Sequence, residues 1–217
     1  MDRADRSPAP RVLVLGLDGG DWRVLEPLVA QGRMPNLGRL LERGVRGGLA
    51  STVPPVTAPA WASFLTGVNP GKHGVFAFQR SLDQDLDRGW VNGAAIRAPK
   101  LWHYLEGQGV RCAFVNVPMT YPPEPLPGYM VTGMLTPLGA EHFTYPPELS
   151  AELRARGYVT DLRIRKVERE VDTAEQQVAL LRDLQDVARR RVEGVRWLWE
   201  REPADFLMVV FETPDRI

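Results

Sequence analysis

The sequence holds little that points to export, a membrane or a nucleic acid. One cysteine, Cys112, stands in 217 residues. A lone thiol makes no internal disulfide, and its apolar setting, Val110-Arg111-Cys112-Ala113-Phe114-Val115, marks a buried core residue. Residues 1–10, MDRADRSPAP, are charged and proline-bearing. They lack the apolar core of a signal peptide and are expected to be a flexible tail. The apolar run that follows is far too short to span a bilayer. Charge of one sign is missing as well. Lys+Arg and Asp+Glu number 27 each, for a formal net charge of zero, which gives no global pull toward a nucleic-acid polymer or an anionic membrane. Neither is expected as a partner, and a cytoplasmic location is the default expectation.

What remains is an ordinary globular composition, 44% hydrophobic and 25% charged, over a length that can bury a substantial core in about one domain. Apolar and glycine-proline punctuation predicts a strand at Val12–Leu17, a helix from Trp22 toward Gly32, a second helix over Met34–Gly44 and a strand at Val45–Ala50. Further on, Lys100–Gly109 reads as a helix, Val110–Val117 as a strand and Leu149–Arg156 as a short helix. Tyr158–Val167 reads as an irregular strand. In Asp172-Thr173-Ala174-Glu175 an acidic cap precedes Glu by three positions, the spacing of a capping box. A long helix follows, with Val178, Leu181, Leu184, Val187, Val192, Val195 and Leu198 on one face and alternating charges on a solvated one. Phe206–Phe211 closes the series as a buried strand. Alternation of this kind predicts an α/β fold over 11–217, a three-layer α/β/α sandwich with a central, largely parallel sheet. Pro118–Pro147 is rich in proline, glycine and aromatics, and 118–170 is expected to be a lid or inserted region that covers a substrate.

Two places stand out chemically. In Ser51–Gly74, STVPPVTAPAWASFLTGVNPGKHG, Thr57 follows an extended proline-bearing segment and opens a short helix. Unpaired N–H groups and the helix dipole there favour an anion or an ionised hydroxyl. Helix capping without chemistry is the commoner fate of such a threonine. The second place weighs against that fate: Asp18 ends the strand in Leu15-Gly16-Leu17-Asp18-Gly19-Gly20, and ligands of open α/β sheets bind at the carboxyl ends of strands.

Other motifs fail on inspection. Gly67 to Gly74 lacks the spacing of a phosphate-binding P-loop and has His73 where Ser or Thr should follow Lys72. Asp83, Asp85 and Asp87 alternate as in a calcium loop but lack its glycine and closing glutamate, so a surface loop is expected. His73 and His142 are read as turn, packing or exposed residues and are left out of the site.

Taken in order, Gly16-Leu17-Asp18-Gly19, then Val56-Thr57-Ala58-Pro59-Ala60-Trp61 with Leu65-Thr66-Gly67 and Pro70-Gly71-Lys72-His73-Gly74, then Thr213-Pro214-Asp215-Arg216-Ile217 resemble the type I phosphodiesterase and nucleotide pyrophosphatase branch of the alkaline phosphatase superfamily. The resemblance spans nearly the whole chain and is specific at these three places. It implies a two-metal site, usually zinc with manganese or magnesium as alternatives, on a large α/β sheet. Asp18 would be the first-strand metal ligand. Thr57 would be both nucleophile and metal ligand, and Asp215 the aspartate of an Asp-x-x-x-His pair. The substrate implied is a small-molecule phosphate ester, cleaved through a phosphothreonine.

The residue types suit that chemistry. A threonine hydroxyl needs a base or a metal to become a nucleophile. Coordination lowers the pKa of bound water from about 15.7 to about 7, and a second ion supports the leaving oxygen. Carboxylates suit such cations. Where the resemblance places a histidine after Asp215, it falls beyond Ile217, so the chain is expected to be a truncated portion that binds metal weakly and turns over little. Phe78 replaces the asparagine of nucleotide pyrophosphatases, which makes nucleotides less expected than phosphoesters in general. A sulfatase would need Cys or Ser in place of Thr57 and arginine in place of Trp61. Phosphomonoesterase or phosphoryl transferase activity is the nearer alternative, and a non-catalytic fragment or binding module the other. With the sheet unfinished, Phe206–Phe211 is expected at an exposed edge.

Overall fold

The computed structural model describes residues 12–79, 89–160 and 173–216. Five strands form one sheet in the order β1 (Val12–Leu17), β5 (Phe206–Phe211), β2 (Cys112–Val117), β3 (Gly128–Thr132) and β4 (Thr144–Tyr145). β5 pairs in parallel with β1 on one side and β2 on the other, β2 pairs in parallel with β3, and only β4 runs antiparallel. The carboxyl ends of four strands therefore share one edge. This is a largely parallel α/β sheet, as its sequence of strands and helices predicts.

Alternating side chains along β5 face two helical layers. Leu207 and Val209 join Ala113, Val115, Tyr129 and Val131 under Leu149 and Leu153 of α6 (Leu149–Ala155) and Leu198 of α7 (Ala174–Arg201). Met208 and Val210 join Phe114 and Met130 on the opposite face, under Leu65 of α3 (Thr57–Thr66) and Trp102 of α5 (Leu101–Glu106). Cys112 is fully buried in that second layer, as its apolar setting predicts. The remaining helices are α1 (Trp22–Ala30) and α2 (Pro35–Arg43), neither with a buried residue, and the short α4 (Pro70–His73).

Several expectations are corrected. Phe206–Phe211 is an interior strand rather than an edge, with a neighbour on each side; the edge strands among the described residues are β1 and β4. Val45–Ala50 forms no strand, and Val45 and Leu49 are exposed. The composition suits a strand, but among the described residues no ladder partner pairs with its backbone. Helix α5 is shorter at both ends than Lys100–Gly109, and β2 begins at Cys112 rather than Val110. The capping box of α7 lies one residue later than read: the Thr173 hydroxyl accepts from Gln176 N–H, while the Gln176 side chain accepts from Thr173 N–H.

Much of the 118–170 interval is built into the core. It supplies β3, β4 and α6, with Leu126, Tyr129, Met130, Phe143 and Leu153 buried. The tail at 1–10, the acidic loop at Asp83, Asp85 and Asp87, most of the strand expected at Tyr158–Val167, the end of the lid interval, Asp172 and Ile217 lie outside the described residues.

Candidate active site

Asp18 follows the last residue of β1. Its N–H donates to the Phe211 carbonyl at 3.0 Å, so the pairing of β1 with β5 continues to the turn and fixes where the carboxylate starts. Gly19 then adopts φ +71°, a left-handed conformation that glycine enters without penalty. Asp215 sits in a 3-10 turn, Thr213–Arg216, directly after β5. Its N–H donates to the Glu212 carbonyl at 3.1 Å. Because β1 and β5 are neighbours, the two turns meet.

Thr57 is the first residue of α3, and the N-cap is Val56, which makes no side-chain cap bond. Capping therefore does not account for Thr57. Its side chain, together with that of Trp61 one turn along the helix, lies close enough to the Asp18 carboxyl group to favour its charged form. Trp61 lies over the sheet beside Gly16, where a Cβ would stand only 2.5 Å from the indole ring. Glycine in β1 is thus what lets α3 approach closely enough to reach Asp18.

The three residues expected at the site are therefore brought together, at the shared edge of the sheet. Asp18 is 8% exposed, and its Oδ2 atom is buried without a hydrogen-bond partner. Burial raises its pKa above the ordinary carboxylate value, and the nearby Asp215 charge adds to the rise, while the bonds from Trp61, Thr57 and the Gly19 backbone oppose it. Two acids held this close, one with an orphaned oxygen, create a deficit of positive charge. Asp215 is exposed and Thr57 half-buried, so the cluster is open to solvent on one side. A groove of about 790 Å³ opens beside it, lined among others by Asp18, Asp21, Trp22, Trp61, Ser63 and Phe64, within the range that takes small ligands.

Among the described residues no group of three or more His, Cys, Asp or Glu side chains is placed to hold a metal ion. The donors at the site are two carboxylates and one hydroxyl. They fit a divalent cation: all are oxygen, one is orphaned, and the pair carries uncompensated negative charge. An all-oxygen set suits manganese or magnesium as readily as zinc.

The two histidines set aside in the sequence stay outside the site. His73 is fully buried. Its Nδ1 accepts from Val75 N–H at 3.1 Å, which leaves the proton on Nε2 to donate to Ser63 Oγ at 2.8 Å. A ring held in that tautomer cannot act as a base on Ser63, and it fastens α3 to the turn after α4. His142 is exposed.

Two residues near the site escape the sequence reading. Arg191, expected on the solvated face of α7, is 3% exposed and bonds Glu212 Oε2 at 3.4 Å. Glu212, read only as part of the loop after β5, is itself 2% exposed. The only sequence signal for either is the position of Glu212 at a strand end, since burial of one arginine among many on a charged helix is a tertiary property.

The chain thus carries two acids and a helix-opening threonine at the carboxyl edge of a largely parallel sheet covered by helices on both faces. The type I phosphodiesterase / nucleotide pyrophosphatase family model matches residues 12–217, and the chain belongs to that family. Among solved structures, phosphonoacetate hydrolase from Sinorhizobium meliloti 1021 in complex with phosphonoacetate superposes with a TM-score of 0.57 at 20% identity. The same enzyme in complex with phosphonoformate gives 0.58 at 21%. In both, 93% of this chain is covered but 46% of the other, so the chain spans less than half the length of these neighbours. At that identity the likeness speaks to the fold. No curated protein matches the sequence.

Proposed function

We propose that the site formed by Asp18, Thr57 and Asp215 hydrolyses small phosphate esters, with the Thr57 oxygen attacking phosphorus. The observation that carries the reading is that Thr57 opens α3 without being its N-cap and lies beside the buried Asp18 carboxyl group, whose charged form it favours. The first N–H groups of α3 offer donors for the phosphoryl oxygens. Attack forms the Thr57 Oγ–P bond with loss of the hydroxyl proton to solvent and breaks the bond to the ester oxygen, which takes up a proton from solvent and leaves as an alcohol or phenol; water then cleaves the phosphothreonine. Asp18, Asp215 and Thr57 are the residues that would hold a divalent cation, and a bound ion would lower the pKa of the Thr57 hydroxyl and offset the repulsion between the acids. Two ions, zinc among them, are what the family resemblance implies.

The groove beside Asp18 supports a small-molecule substrate over a polymer. The test uses bis(4-nitrophenyl) phosphate and 4-nitrophenyl phosphate with added Mn²⁺, Mg²⁺ or Zn²⁺. Thr57→Ala is expected to abolish release of 4-nitrophenol with the fold intact by circular dichroism. Turnover equal to that of the parent would remove Thr57 as nucleophile, and the ratio of the two substrates separates diesterase from monoesterase.

A further inference from the structure

Glu212 occupies an unusual position: it stands between the residue whose carbonyl holds Asp18, Phe211, and the turn that presents Asp215. Both of its carboxylate oxygens are engaged. Oε1 accepts from Met134 N–H at 3.0 Å and Asn116 Nδ2 at 3.3 Å, and Oε2 from Arg191 at 3.4 Å. Asn116 Nδ2 also donates to the Val210 carbonyl at 3.2 Å. Arg191 in turn donates to the carbonyls of Val159 at 3.3 Å and Thr160 at 2.8 Å. One carboxylate thus ties the end of β5 to the end of β2, the turn after β3, α7 and the segment after α6.

A buried ion pair is weak ground for stability, because apolar residues of similar volume commonly do as well or better. What such a pair supplies is orientation. Here the oriented object is the turn that carries Asp215, which must be held beside Asp18 although their charges repel. Resting on the site reading above, we propose that Glu212, fixed by Arg191, is a positioning residue that keeps Asp215 in register with Asp18 for a shared divalent cation. It touches neither substrate nor cation, and its effect passes through the backbone from Glu212 to Asp215.

The test is Mn²⁺ binding to the purified 217-residue chain, followed by the electron paramagnetic resonance of the free ion. Asp18→Asn is the control for the site. Glu212→Gln keeps the shape but leaves Arg191 without its charge partner, so the double variant Glu212→Gln/Arg191→Met is measured beside it. Leu198→Ala, a core truncation in α7, reports what general destabilisation alone does. Outer-sphere changes typically weaken metal affinity about 10- to 100-fold, and that loss is expected in both Glu212 variants while Leu198→Ala binds as the parent does. Parental affinity in a folded double variant, or a double variant that does not fold, overturns the positioning role. An equal loss in Leu198→Ala does so too. If the parent binds no Mn²⁺, or Asp18→Asn binds as well as the parent, the site reading itself fails and the positioning role falls with it.

Discussion

Gly19 and Asp215 are in contact through their backbones: a Cβ built on Gly19 would stand 2.8 Å from the Asp215 Cα. Each of the two acids of the site is thus set by a turn that leaves no room for the other to move. Replacing Gly19 by alanine adds a methyl group into Asp215 and forces a non-glycine residue to φ +71°. The strain of a left-handed non-glycine residue is about 1–3 kcal/mol. Gly19→Ala is expected to lose about that much stability in urea unfolding, and to lose Mn²⁺ affinity because Asp215 is displaced. A variant with parental stability and affinity would show that the contact is soft.

His73 predicts a pH dependence of stability. Burial lowers its pKa below the ordinary value of 6.5, and a proton on Nδ1 would also break the bond from Val75. The unfolded chain therefore takes up a proton more readily than the folded one. Stability from this residue is fully present above about pH 6.5 and is lost as the pH falls below it, toward the depressed folded value. The urea midpoint of the parent should fall between pH 7 and pH 5 more steeply than that of His73→Gln. Parallel slopes would refute the assignment.

The free edge of β1 predicts self-association. Leu13, Leu15 and Leu17 share one face of this strand and are 52%, 57% and 40% exposed, while their partners on β5, Leu207, Val209 and Phe211, pack against the layer of α6 and α7. An apolar strand whose outer side has no ladder partner among the described residues is a template for another chain. Light scattering should show an apparent mass that rises with concentration, and Leu15→Lys should suppress the rise while changing stability by only about 0.5 kcal/mol. A parent that stays monomeric at high concentration would contradict this.

The site was more legible than the sheet that holds it. Asp18 and Thr57 are marked by local signals, a glycine-bounded apolar run and a helix start, and Asp215 by its place after a strand. Their convergence follows from the parallel order of β1 and β5, which no local signal encodes. For the same reason Phe206–Phe211 reads as an edge when it lies in the middle. Val45–Ala50 shows the converse: strand composition is present and the neighbour is not, so the segment stays irregular. Arg191 is invisible for a third reason. Its helix repeats charge on every turn, and only the approach of Glu212 decides which arginine is taken out of water. The Thr173 cap differs from the predicted Asp172 by one residue because Gln176 serves as well as Glu175 in closing the box.

The register of Val12 with Phe206 and of Leu17 with Phe211 pairs the first strand of the sheet with the last. On a ribosome, Asp18 emerges early and Asp215 only after the described strands and helices between them have been made. Loop closure across so much chain is slow, so the pairing that brings Asp18 and Asp215 together is expected to form late among the described contacts. Until that pairing forms, Thr57, the proposed nucleophile, has only one of the two acids beside it.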